Sequence, residues 1–133
     1  MSDPQVMSAV RQAVIDALGV TEAEVRPETT LMDELGAESI DLLDILFRLE
    51  RKLGIKVKAA DVAAYVQGDI PEGDFGDEHG KVTPAALAQL QKIMPQVDFD
   101  KLNGQLETDK VMMLFSVDNL ATLVSARATP AAR

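Results

Sequence analysis

Cysteine and tryptophan are absent from these 133 residues, and there is only one histidine and one tyrosine. Without cysteine the chain has no disulfide, no thiolate nucleophile and no cysteine-based zinc site, so any thiol chemistry must come from an attached group. Basic residues are also short: 13 Lys and Arg against 22 Asp and Glu leave a formal net charge of −9. That balance disfavours nucleic acid and anionic lipid, which demand clustered cations, and favours partners with basic surfaces. No apolar run approaches the ~18 residues of a membrane span. The opening Met1-Ser2-Asp3-Pro4 lacks the charged-then-apolar order of a signal peptide. The expectation is a soluble cytoplasmic monomer with no membrane span.

What the chain does have is 47% hydrophobic residues, enough for one compact domain that buries roughly two-thirds of its unfolded surface. Its acid surplus is uneven. Residues 1–54 hold 11 acidic and 5 basic residues, and residues 55–133 hold 11 and 8. The richer half contains Gly36 to Leu53, read as Gly-Ala-Glu-Ser-Ile-Asp-Leu-Leu-Asp-Ile-Leu-Phe-Arg-Leu-Glu-Arg-Lys-Leu. Gly36 breaks the preceding turn, and Glu38 or Ser39 is placed to cap a new helix. Two apolar rows follow, Leu42, Leu46, Leu49, Leu53 and Ile40, Leu43, Phe47, a face wide enough to pack on a core and line a cavity. Glu38, Asp41 and Asp44 surround Ser39 at the helix start, where the dipole tolerates negative charge.

This stretch resembles the prosthetic-group site of acyl carrier proteins, whose usual motif is Asp-Ser-Leu with a glycine two residues before the Asp. Here Glu38 stands for the Asp and Ile40 for the Leu, while Gly36, Ser39 and Asp41 match. The Glu moves the carboxylate outward by one methylene. The resemblance implies that Ser39 receives 4′-phosphopantetheine from coenzyme A through a Mg²⁺-using phosphopantetheinyl transferase. Acyl groups would then travel as thioesters on the arm's thiol, and the chain would not be an enzyme. It also implies docking on acyl-transferring, acyl-activating or chain-elongating enzymes with basic patches, through Glu38, Asp41 and Asp44. Ile40, Leu43, Leu46 and Phe47, core residues first, would line the acyl pocket.

The rest of the chain reads as helices. Asp3 caps a helix with Pro4 at its first position, and Val6, Val10, Val14 and Leu18 recur every four residues up to Gly19. Thr21 and Glu24 suggest a capping box, with Val20 and Val25 as its hydrophobic staple. Ala59 to Val66 forms a short helix after the extended Ile55-Lys56-Val57. With no sustained period-2 alternation, the fold class is all-α. By resemblance it is an acyl-carrier-like four-helix bundle, with a core of 1–66 and 111–126. A helical insertion at about 67–110 precedes the last helix, and a frayed tail covers 127–133. Within the insertion, Thr83-Pro84 caps Ala85 to Met94; Ser116 caps the closing helix, Val117 to Ala126.

Two other constellations carry little chemistry. Asp69, Glu72, Asp74, Asp77, Glu78 and His79 crowd a glycine-rich loop, but their spacing fits neither a calcium loop nor a zinc set, so no metal is expected. A hydrolase triad of Ser39, His79 and an acid lacks the Gly-x-Ser-x-Gly elbow. The lengthened region resembles that of specialised carriers serving very long acyl chains, as in lipid A or sphingolipid pathways. There Leu87, Leu90, Met94, Phe99, Met112, Met113 and Phe115 would shield a long chain or complete the insertion's own core, and a dedicated docking surface for one enzyme is a third reading of the insertion. A peptidyl or polyketide carrier and an unmodified interaction module stay open as alternatives.

Overall fold

Gly19, Gly36, Gly54 and Gly68 punctuate the first half of the chain, each at positive φ (69°, 71°, 66° and 59°), and between them lie the helices that carry the site. A computed structural model describes residues 4–102 and 105–128. The expected cap at Asp3 and most of the expected tail, 129–133, lie outside the described residues. Helix α1 runs Pro4–Leu18 and buries Val6, Ala9, Val10, Ala13 and Val14, one stripe at helical spacing. Helix α2 is Ser39–Leu53, α3 is Ala59–Gln67, α4 is Pro84–Ile93 and α5 is Val117–Ala128. Helix α1 packs against α2 and α5, α3 touches α2 and α5, and α4 packs against α3. The chain is mostly helical, with short 3-10 turns at Glu22–Glu24, Glu72–Asp74, Phe99–Leu102 and Thr108–Leu114. No strand forms among the described residues, only isolated bridges such as Thr30 with Ser116. The all-α bundle expected from the sequence is the one observed.

The long loop between α1 and α2 is pinned by backbone and side-chain bonds. Thr21 supplies no side-chain cap to the 3-10 turn after it, so the expected capping box is absent. Arg11 of α1 holds the turn through its carbonyls instead: its Nε donates to the Val25 carbonyl (2.7 Å) and its guanidinium also reaches the Glu22 carbonyl (3.0 Å). Further on, Leu31 N–H donates to the Phe115 carbonyl (3.1 Å) and Val117 N–H to the Thr29 carbonyl (2.8 Å). The loop is thereby sewn to the start of α5, which fixes where Gly36 releases α2.

The segment after α3 shares the bundle's core. Ala86, Leu90 and Met94, then Phe99, Leu106 and Phe115, belong to one contiguous cluster with Val10 of α1 and Leu49 of α2. Thr83 caps α4 as expected, accepting from Ala86 N–H at 3.3 Å. Ser116 caps α5 through its hydroxyl, which accepts from Asn119 N–H at 3.1 Å. Asn119, 2% exposed, ties the two ends together. Its Nδ2 donates to the Ile93 carbonyl (2.9 Å), and its Oδ1 accepts from Gln96 Nε2 (2.8 Å) and Ser116 N–H (2.9 Å). Helix α5 continues beyond the expected stop at Ala126. Arg127 holds its last turn, donating to the Lys56 carbonyl at 3.3 Å and approaching Asp61 Oδ2 at 3.6 Å.

Candidate functional site

Ser39 is the first residue of α2, and its side chain is exposed. The helix start is closed by Asp41, whose Oδ2 accepts from the Glu38 backbone N–H at 2.9 Å. Ser39 is therefore inside the first turn rather than at the capping position, next to backbone N–H groups with no intrahelical partner. Such a start carries partial positive charge and suits an anion.

The two apolar rows of α2 part company in the structure. Leu42, Ile45, Leu46 and Leu49 are buried, each fully burying chain worth roughly 1.5–3 kcal/mol. Ile40, Leu43 and Phe47 are 71%, 51% and 56% exposed. The expectation that Ile40, Leu43, Leu46 and Phe47 all face the interior is corrected here: only Leu46 does. The reason is geometric. Residues 40, 43 and 47 share a helix stripe of their own, and α1, the main packing partner of α2, covers only the other stripe.

The acids also divide. Asp41 closes the helix start, and Asp44 pairs with Arg48 one turn on at 3.0 Å, an i,i+4 pair within the helix. Glu50 is neither a loose solvated acid nor a partner of its own helix's cations. Its carboxylate accepts from Val57 N–H at 3.0 Å and pairs with Lys58 Nζ at 3.1 Å, joining α2 to the start of α3. The Lys58 bond, followed by the Val57 bond, lowers the Glu50 pKa below its ordinary value.

Two clefts open where α2 meets α3, and Leu43 and Ala59 line both. One, about 480 Å³, has Ser39 on its wall with Met32, Leu42 and Leu43. Its far side is built by Val62, Ala63 and Val66 of α3 and by Phe75, Thr108, Val111 and Met112 from the segment after α3. The other, about 450 Å³, lies along the exposed stripe between Ile40, Leu46 and Phe47 and the Glu50–Lys58 pair. Sequence reasoning missed the α3 side of the first cleft and Phe75 and Thr108 altogether. A period of three or four in Val62, Ala63 and Val66 was a signal for the former. Nothing in sequence brings Phe75 beside residues 108–112.

In the glycine-rich acidic loop, Asp77 turns on its own chain. Its Oδ1 accepts from His79 N–H (2.8 Å) and Lys81 N–H (2.9 Å), and the Lys81 bond does most to lower its pKa. Among the described residues no group of three or more His, Asp or Glu is arranged to hold a metal ion. Nor is any described helix long and apolar enough to cross a membrane.

Helix α2 thus starts on an exposed serine that stands on the wall of an apolar cleft. Residues 8–66 match the phosphopantetheine attachment site family. The chain is 39% identical over 61 residues to an acyl carrier protein of Thermotoga maritima, covering 46% of this chain and 75% of that one. It is 36% identical over 56 residues to that of Solidesulfovibrio magneticus, covering 42% and 72%. With one from Nitratidesulfovibrio vulgaris it shares 31% over 71 residues, 47% and 93% of the two chains. No solved structure matches. The chain belongs to the acyl carrier protein family, whose members are carriers rather than enzymes, and its prosthetic group is a covalently attached 4′-phosphopantetheine.

Proposed function

We propose that Ser39 is the attachment point of the arm and that the chain shuttles acyl groups for a specialised fatty acid or lipid pathway, of the kind that builds lipid A or sphingolipids. The observation that carries this is the exposed Ser39 hydroxyl at the start of α2, on the wall of an apolar cleft. The residues fit the group. A phosphodiester on Ser39 would sit beside first-turn N–H groups that lack an intrahelical partner, with the helix dipole in its favour. When attached, the arm supplies the thiol that this cysteine-free chain lacks.

The cleft wall is mostly apolar, with Ser39, Gln67 and Thr108 as its polar side chains, which favours a hydrocarbon chain over a peptidyl or polyketide unit. Glu38 and Asp41, with the exposed Ile40, Leu43 and Phe47, form a surface suited to brief docking on a partner with a basic rim and an apolar centre. Asp44 contributes less, because Arg48 already neutralises it. In this reading the protein is one cytoplasmic carrier domain and a monomer, with 67–110 inserted before its last helix.

The test is intact mass after incubation with coenzyme A and a broad phosphopantetheinyl transferase. The wild type gains the mass of the arm and Ser39→Ala does not. Gain that survives in Ser39→Ala moves the site elsewhere, and no gain on the wild type leaves an unmodified interaction module.

A further inference from the structure

The Ser39 cleft is not closed by the part of the chain that matches the family. The match ends at Val66, yet Phe75, Thr108, Val111 and Met112 stand on the cleft wall. They come from two separate stretches that the structure fastens together. Thr108 N–H donates to the Gly80 carbonyl (2.9 Å) and Val82 N–H to the Leu106 carbonyl (2.8 Å). A Cβ on Gly76 would come within 2.7 Å of the Thr108 methyl, so the two stretches approach closely. The unit is held to the bundle in turn: Gln89 of α4 donates to the Tyr65 carbonyl at 3.3 Å, and Asn119 bonds the end of α4 to α5. This wall is anchored at both ends.

We propose that this wall selects the acyl chain, with Phe75 and Met112 as the residues that decide how much hydrocarbon the cleft shelters. The inference rests on Ser39 bearing the arm. A chain tethered there has two clefts within reach, one on each side of Leu43 and Ala59. The one along the exposed stripe is bordered by the Glu50–Lys58 ion pair, and covering an ion pair with hydrocarbon strips it of water at a cost in free energy. The Ser39 cleft carries no charged side chain on its wall, so hydrocarbon enters without that penalty. Met112 is half-buried and unbranched, a side chain that adapts to contents of varying bulk. The occupant is thus the protein's own tethered chain, a saturated or largely apolar acyl group.

The experiment loads the full-length protein with arms bearing straight saturated acyl chains of increasing length, transferred from the corresponding acyl-coenzyme A thioesters. The thermal midpoint of each is compared with that of the same variant carrying the bare arm. In the wild type the midpoint rises with chain length and levels off when the cleft is full. Met112→Trp moves the levelling point to shorter chains, and Met112→Ala and Phe75→Ala move it to longer ones. Identical length profiles in all four proteins, each carrying its arm by mass, overturn the proposal. A profile that shifts in Phe47→Trp but not in Met112→Trp overturns it too, by putting the chain in the other cleft. A wild type that takes up no arm overturns the parent reading, a failure visible by mass before any profile is recorded.

Discussion

Replacing Asn119 with alanine is the sharpest test of how the segment after α3 is joined to the bundle. The side chain serves two groups with little access to water, accepting from Ser116 N–H at 2.9 Å and donating to the Ile93 carbonyl at 2.9 Å. Truncation leaves both without a partner, and each such group costs about 1–3 kcal/mol. Gln96 is exposed and recovers its lost bond from water, so it adds little. The expected loss is about 3 kcal/mol, a drop in thermal midpoint of roughly 10 °C for a chain this size. Ser116→Ala removes only a cap to Asn119 N–H and costs about 1 kcal/mol. Chemical denaturation of the two variants measures both values, and native-state hydrogen exchange adds a location. Amides of α4 lose more protection than those of α1 in Asn119→Ala, because the broken bonds lie at the end of α4. A loss below about 1 kcal/mol, or equal loss of protection in α1 and α4, would refute a clamp at Asn119.

Other perturbations read other parts of the molecule. Glu50 has its pKa lowered by Lys58 and Val57, so its contribution to stability is fully present above its unfolded value and disappears as pH falls through the lower folded value. The midpoint difference between wild type and Glu50→Gln is therefore positive near neutral pH and vanishes in acid; a pH-independent difference contradicts the assigned bonds. Tyr65 has its pKa raised, chiefly by burial and then by Asp118. As the only tyrosine, it is read directly by phenolate absorbance, whose midpoint lies above 10.0 while the protein is folded. Ionisation opposes folding, so stability declines as pH rises through the unfolded value. Gly36 has φ +71° and no atom within 4 Å of an added Cβ. Gly36→Ala thus costs only left-handed backbone strain, about 1–2 kcal/mol, measurable by chemical denaturation.

The bundle and the start of α2 were legible in the sequence, because both are local. A four-residue recurrence of valine marks α1, and a glycine followed by a serine among acids marks the start of α2. The caps at Thr83 and Ser116 are equally local and were legible. What failed was anything decided by a partner distant in sequence. Thr21 looks like a capping residue, but Arg11 from α1 satisfies that turn's carbonyls. Ile40, Leu43 and Phe47 have the spacing of a core row, and only the positions of α1 and α3 reveal that each stays more than half exposed. Glu50 has Lys and Arg neighbours on its own helix and pairs instead with Lys58 across a turn. The glycines and acids of residues 68–80 mark a loop but not its order, which comes from Asp77 folding its part into a hydrogen-bonded turn.

These partnerships change what the acids of α2 can be asked to do. Asp41 closes the helix start, Asp44 is paired with Arg48 and Glu50 is spent on α3. Arg51 and Lys52 in the last turn complement the helix dipole, so the charge gradient along α2 has a structural cause before any functional one. Exposed pairs of this kind contribute little to stability, typically under ~1 kcal/mol, and they spread charge rather than concentrate it. The exposed apolar stripe has no such internal cause. Arg51 lies over the Phe47 ring at 5.7 Å and shields part of it, but Ile40 and Leu43 are left to water beside Ser39. Apolar surface kept open next to the exposed Ser39 hydroxyl offers what a transient interface needs: area for contact, and few fixed ion pairs to slow release. A docking role for this end of α2 therefore draws more support from Ile40 and Leu43 than from the acids around them.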